Sequence, residues 1–282
     1  MRSEEEIITL ILHVAKTDDR IRAVLLNGSR TNPNVTKDLF QDFDIVYIVR
    51  EIDGFIKDNN WIDIFGERLI LQLPEDMTIG EKDPHSFHYL MLFKDGRRID
   101  LTLFPVDKFT TQFKKDSLTT LLLDKDSLFE ELPLPSDNDY LIKPPSQKEF
   151  TDCCNEFWWV STNVAKGLWR KDITYAKEMM ELHARNMFLK IIEWNIGIET
   201  DFSVSFGQYG RNIKHYTSSD LYSKILLTYP DSNTGNIWKS LFLMTNLFAD
   251  LAFKIANKLS FYYNKEEEKN VIDYLRWVHA KT

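Results

Sequence analysis

The chain has 282 residues, 43% of them apolar and 28% charged, with a net charge of −8, a balance that excludes long disorder and leaves room for two medium domains. No run approaches the roughly 18 consecutive apolar residues of a membrane span, and the start Met1-Arg2-Ser3-Glu4-Glu5-Glu6 is acidic where a signal peptide is basic and then apolar, so a cytoplasmic protein is expected. Residues 149–282 are charge-balanced and the whole negative excess falls on 1–148, a field that draws cations and discourages a nucleic-acid backbone.

In chain order, Ser3 and Glu6 form a capping-box pattern, and Ile7, Ile8, Ile11 and Val14 recur at helical spacing, which predicts a helix over 4–16. The period then changes to two. Short β-rich runs at 22–26, 43–49, 69–73, 87–93 and 98–104, bounded by Gly, Asp, Asn or Pro, predict a mixed sheet with one or two accompanying helices. Four of the nine prolines crowd into 133–145, so a boundary is expected there, with domains 1–143 and 144–282. Beyond it Ser146 and Glu149 repeat the capping-box pattern, and Phe150, Cys153, Phe157, Val160 and Val164 continue one apolar helix face to about Trp169. Further helices are predicted over 174–194, ending near Gly197, and over 236–258 and 265–280. The fold class is therefore α+β, with an N-terminal mixed sheet and flanking helices followed by a C-terminal helical bundle. Cys153 and Cys154 are adjacent within a helix, which suits buried inert thiols and neither a disulfide nor a metal site.

The chemistry concentrates at Gly28-Ser29, a turn directly after the apolar run Ala23-Val24-Leu25-Leu26, and at Asp42-Phe43-Asp44 twelve residues later. Acids at i and i+2 of a strand point to one face, and two hard oxygen ligands completed by water and phosphates suit Mg²⁺, while a tight turn can offer backbone N–H groups to phosphate oxygens. Asp100 belongs to the same pattern, because in Arg98-Ile99-Asp100-Leu101-Thr102-Leu103 it stands on the face opposite the apolar residues. Three carboxylates from neighbouring strands would bind one or two divalent ions, and the third could take the proton of an attacking hydroxyl.

These residues resemble the polymerase-beta-like nucleotidyltransferases through Leu26-Asn27-Gly28-Ser29-Arg30, Asp42-Phe43-Asp44-Ile45-Val46 and Asp100. The resemblance is closer to the aminoglycoside 6-adenylyltransferase branch, through 27–33, 41–47, Phe157-Trp158-Trp159-Val160-Ser161 and Val164-Ala165-Lys166-Gly167-Leu168-Trp169-Arg170, and it extends over nearly the whole chain. It implies AMP transfer from ATP to a hydroxyl of the streptidine ring of streptomycin, with Mg²⁺ as cofactor and antibiotic resistance as the outcome. By position, it implies Gly28, Ser29 and Arg30 on the nucleotide, Asp42 and Asp44 on metal, and Asp100 completing the site.

The helical half carries six of the seven tryptophans, and aromatic faces beside acids suit a cationic sugar. Trp158, Glu178 and Glu181 are the expected substrate contacts, with Glu156 and Asp172 as further acids. Lys166 and Lys177, and behind them Arg170, are expected to meet triphosphate charge. The competing structural reading makes Trp158 and Trp159 core or rim residues, Glu178 and Glu181 partners of nearby cations, and His85 and His88 packing or surface residues. Expected partners are an aminoglycoside and ATP, with no nucleic acid and no membrane, for a monomer or homodimer. The rival functions are transfer to RNA or a protein side chain, and a catalytically silent binding module of the same fold.

Overall fold

The structure is a computed structural model that describes residues 1–282, the side chain of Thr110 excepted. The chain forms two compact units, Met1–Asp139 and Tyr140–Thr282. Among the described residues no helix is long and apolar enough to cross a membrane.

The first unit runs α1 (Glu4–Thr17), β1 (Ile21–Asn27), β2 (Phe43–Val49), α2 (Asp53–Ile56), β3 (Arg68–Gln72), β4 (Phe87–Phe93), β5 (Arg98–Pro105), α3 (Val106–Gln112) and β6 (Thr119–Asp124). α1 opens with the expected capping box, Ser3 Oγ accepting from the Glu6 amide while Glu6 accepts from the Ser3 amide, which satisfies two amides that a helix start leaves unpaired. The six strands lie in the order β3-β4-β5-β2-β1-β6. Only β2 and β5 are parallel; the other neighbours are antiparallel. The sheet is thus mixed, and strands that are 56 residues apart in sequence stand side by side at its centre.

Both faces of β2 are covered, which explains its nearly unbroken apolar run. Phe43, Ile45, Tyr47 and Val49 join the core beneath α1, while Val46 and Ile48 pack with Ala23, Leu25, Phe104 and Phe109 on the other side. The Tyr47 hydroxyl donates to the Ile11 carbonyl at 2.8 Å and ties β2 to α1. Strand β6 was not among the expected strands. Its Leu121-Leu122-Leu123 run lacks the alternation that marked the others, yet it pairs with β1 from Ala23 to Asn27.

The second unit is helical: α4 (Gln147–Trp169), α5 (Ile173–Glu178), α6 (Arg185–Glu199), α7 (Ile213–Tyr216), α8 (Ser219–Leu226), α9 (Thr234–Leu259) and α10 (Lys265–His279). The Ser146–Glu149 capping box starts α4 as expected. The segment expected as one helix over 174–194 is α5 and α6 joined by a π-helical stretch, Met179–Ala184, and it continues past Gly197 to Glu199. The core is aromatic at its centre, where Phe157 and Phe248 stack at 3.7 Å and Trp158 meets both edge-on.

Candidate active site

The site is built at the end of β2 and β5 where α3 does not cover the sheet. Asp44 and Asp100 are direct register partners in the parallel pair. By parity each sits on the face of Val46 and Phe104, the opposite face from Phe43, Ile99 and Leu101. Asp42 lies two residues before Asp44, just ahead of the strand. Burial, with the Asp100 and Asp42 carboxylates beside it, pushes the Asp44 carboxyl up to about 6. Burial also raises Asp42, although Arg98 pulls the other way. Neighbouring acids that disfavour the charge on Asp44 and Asp42 are an arrangement a structural role would avoid and a cation site requires.

Gly28 closes the other side. It begins a one-turn 3₁₀ helix, Gly28–Arg30, with φ +75°, a left-handed conformation that glycine adopts without strain. A Cβ at this position would overlap Asp44 Oδ2, so only a glycine lets the turn approach the carboxylate this closely. Its amide is committed, donating to the Leu118 carbonyl at 3.0 Å, so what Gly28 contributes is the close packing of the turn on Asp44 and not its own N–H.

Arg30 has a different employment from the expected nucleotide contact. Its side chain is 3% exposed; Nε donates to the Asp42 carbonyl at 2.9 Å, Nη2 to the Gln41 carbonyl at 2.7 Å and Nη1 to Glu4 at 3.1 Å, with the guanidinium 3.7 Å from the Phe43 ring centroid. Gln41 answers by donating from Nε2 to the Ser29 carbonyl at 3.2 Å. Turn and strand start are thereby stapled together, and the reason is local: a buried guanidinium must satisfy its donors, and two carbonyls of the 41–42 segment lie within reach.

Arg98 was not among the expected site residues. Its Nε and Nη2 donate to both Asp100 oxygens at 2.8 and 2.7 Å, and Nη1 stands 3.7 Å from Asp42 Oδ2. The signal was present in the sequence, since Arg98 and Asp100 are i and i+2 of one strand and share a face. The expectation that Asp42, Asp44 and Asp100 close on one point is not met in this form: among the described residues no three His, Cys, Asp or Glu side chains stand as a ready coordination group, and the Arg98 fork occupies the edge of Asp100.

In the helical unit the structure separates the expected residues. Trp158 is 1% exposed and belongs to the core, whereas Trp159 is 67% exposed, so the expected substrate contact at Trp158 is corrected to a packing role. Glu181 is paired with Arg185 at 3.0 Å and with Lys177 at 3.6 Å, which leaves it neutralised and not poised for a cationic ligand. Lys177 also donates to the Pro230 carbonyl at 2.8 Å. Glu178 is exposed. Lys166 lines a cavity of about 270 Å³ with Trp169, Arg170, Tyr274, Trp277 and Lys281.

The chain is similar to known proteins over nearly its whole length. Residues 1–278 match the family model described as streptomycin adenylyltransferase. An aminoglycoside 6-adenylyltransferase of Campylobacter jejuni is 44% identical over 95% of this chain and 93% of its own length. Another, of Bacillus subtilis strain 168, is 39% identical over 95% of both. A crystal structure of an aminoglycoside 6-adenyltransferase from Bacillus subtilis covers 99% of each chain at 34% identity, with a TM-score of 0.49.

Proposed function

Because this chain belongs to the streptomycin adenylyltransferase family, we propose that it moves the adenylyl group of ATP to a hydroxyl of an aminoglycoside, with streptomycin as the acceptor and resistance as the consequence. The observation that supports this most is the register pairing of Asp44 with Asp100, with Asp42 two residues away and Gly28 against Asp44.

In its chemistry, though not as a ready coordination group, the donor set suits a divalent cation. It offers only hard carboxylate oxygens, their mutual repulsion is relieved by positive charge, and a guanidinium already stands against two of them. Asp42, Asp44 and Asp100 would hold Mg²⁺, which when bound neutralises phosphate charge and orients the triphosphate.

The protein's own residues supply the rest. The turn at Gly28 and Ser29 receives the β- and γ-phosphates, and the missing side chain at 28 lets the Asp44 carboxylate sit directly against that turn. Within the helical unit, Lys166 is the cation proposed for a phosphate and Glu178 the exposed acid proposed for a cationic acceptor. The acceptor oxygen attacks the α-phosphorus, the bond from that phosphorus to the bridging oxygen breaks, and pyrophosphate leaves with the electron pair. The hydroxyl proton passes to a carboxylate, the role proposed for Asp100. Catalysis of this kind is positioning and electrostatics, not covalent chemistry by the protein.

Incubation with MgATP and streptomycin, followed by mass analysis of the antibiotic, tests the reading. Addition of one adenylyl group is expected, and Asp42→Asn or Asp44→Asn should abolish it. Labelling of tRNA but not streptomycin from labelled ATP would overturn the acceptor.

A further inference from the structure

We infer that Arg98 is a displaceable counter-ion of the carboxylate site: its guanidinium holds Asp42 and Asp100 in place in the metal-free protein and competes with a divalent cation for the same carboxylate edge. The inference rests on reading the three acids as metal ligands, and it assigns a positioning role to a residue outside that set.

Three observations carry it. The first is geometric. Nε and Nη2 bond one to each oxygen of Asp100, and Nη1 reaches to 3.7 Å from Asp42 Oδ2. One planar cation therefore spans two acids from different segments, in the fork arrangement that uses the outward edge of a carboxylate. A divalent ion shared by Asp42 and Asp100 would need that same edge.

The second is electrostatic. Asp44 and Asp100 are register partners and Asp42 lies two residues before Asp44, so three carboxylates crowd one end of the sheet, with the Arg98 guanidinium bonded to Asp100 and 3.7 Å from Asp42. Without some positive charge the cluster would repel itself, so the metal-free protein needs a substitute cation.

The third is the contrast between two arginines. Arg30 is buried, bonded to two backbone carbonyls and fixed. The Arg98 side chain is 45% exposed and reaches carboxylates, not backbone carbonyls. It sits at the first residue of β5 on a long flexible stem, so it can leave for water without moving the strand. An exposed guanidinium pair of this kind is weak, which is what a cation that must give way requires.

The test is Mn²⁺ binding by calorimetry in nucleotide-free protein, comparing the wild type with Arg98→Gln, Arg98→Lys and Arg97→Gln. Arg97 is an adjacent, half-buried cation whose side chain bonds the Arg2 and Leu39 carbonyls and not the three acids, so its loss reports the general field. Arg98→Gln should bind Mn²⁺ about tenfold more tightly, a change of about 1.4 kcal/mol, Arg98→Lys should stay near the wild type, and Arg97→Gln should not change. In EDTA the Arg98→Gln protein should melt lower than the wild type, and saturating Mn²⁺ should close the gap. If Arg98→Gln binds Mn²⁺ no more tightly than the wild type, or if Arg97→Gln tightens binding equally, the inference is overturned while the metal reading stands. If Mn²⁺ binds none of these proteins, the carboxylate reading fails and takes the inference with it.

Discussion

Gly28 and Asp44 are in such close approach that a single methyl group on the glycine would overlap the Asp44 carboxylate. With φ at +75° the position also disfavours any side chain. Gly28→Ala should therefore destabilise the protein by about 1–3 kcal/mol and lower adenylyl transfer more steeply than that loss explains, because Asp44 must move. Chemical denaturation and turnover measured on one preparation check it; a fully active Gly28→Ala protein would show that the close approach is not needed.

Asp44 gives the pH dependence. Its carboxyl lies near 6 in the folded protein against 3.8 in the unfolded chain, so the folded state binds its proton more tightly, and burying the charge is destabilising where the group is ionised in both states. That cost, on the order of 2–3 kcal/mol, is full above about pH 6, shrinks as pH falls from 6 towards 4, and is gone below the unfolded value. In EDTA, Asp44→Asn should thus be more stable than the wild type at pH 8 and equal to it near pH 4. Melting curves across that range decide the matter, and a difference independent of pH would remove the carboxylate as its source.

Arg30 should behave as a staple. Arg30→Met leaves the Gln41 and Asp42 carbonyls without their donor and Glu4 without its partner, so a loss of about 3–5 kcal/mol is expected, in the absence as well as the presence of ATP. Loss of ATP affinity at unchanged stability would return Arg30 to the nucleotide.

Trp158 and Trp159 differ by one residue and should differ in kind. Trp158→Ala empties a site against Phe157 and Phe248 and should cost about 3–5 kcal/mol. Trp159→Ala, at the surface, should stay within about 0.5 kcal/mol. Trp158→Phe should keep the KM for the aminoglycoside; a large rise in that KM at wild-type stability would restore Trp158 to the substrate.

The adjacent thiols should be inert. Burial pushes Cys153 up to about 12 and Cys154 further in the same direction, so neither forms a thiolate near neutrality. A disulfide-exchange reagent should titrate no thiol in the native protein and both after unfolding in denaturant.

Much of this was legible in the order of the residues. Capping boxes at Ser3 and Ser146 and the alternation around Asp42, Asp44 and Asp100 depend on neighbours within a few positions, and the chain's local geometry enforces them: a period of two places both acids of an Asp-x-Asp pair on one face whatever surrounds them. Short-range patterns of this kind are enough for the α+β class, the acids, the glycine turn and the aromatic helical half. Long-range packing sets the rest: β2 and β5 lie parallel with Asp44 opposite Asp100, Arg30 turns inward while Arg98 reaches across to the acids, Trp158 is core and Trp159 surface, and Glu181 is already paired. Those outcomes depend on which distant segment arrives beside a residue, and periodicity records the face of an element without recording what will cover it.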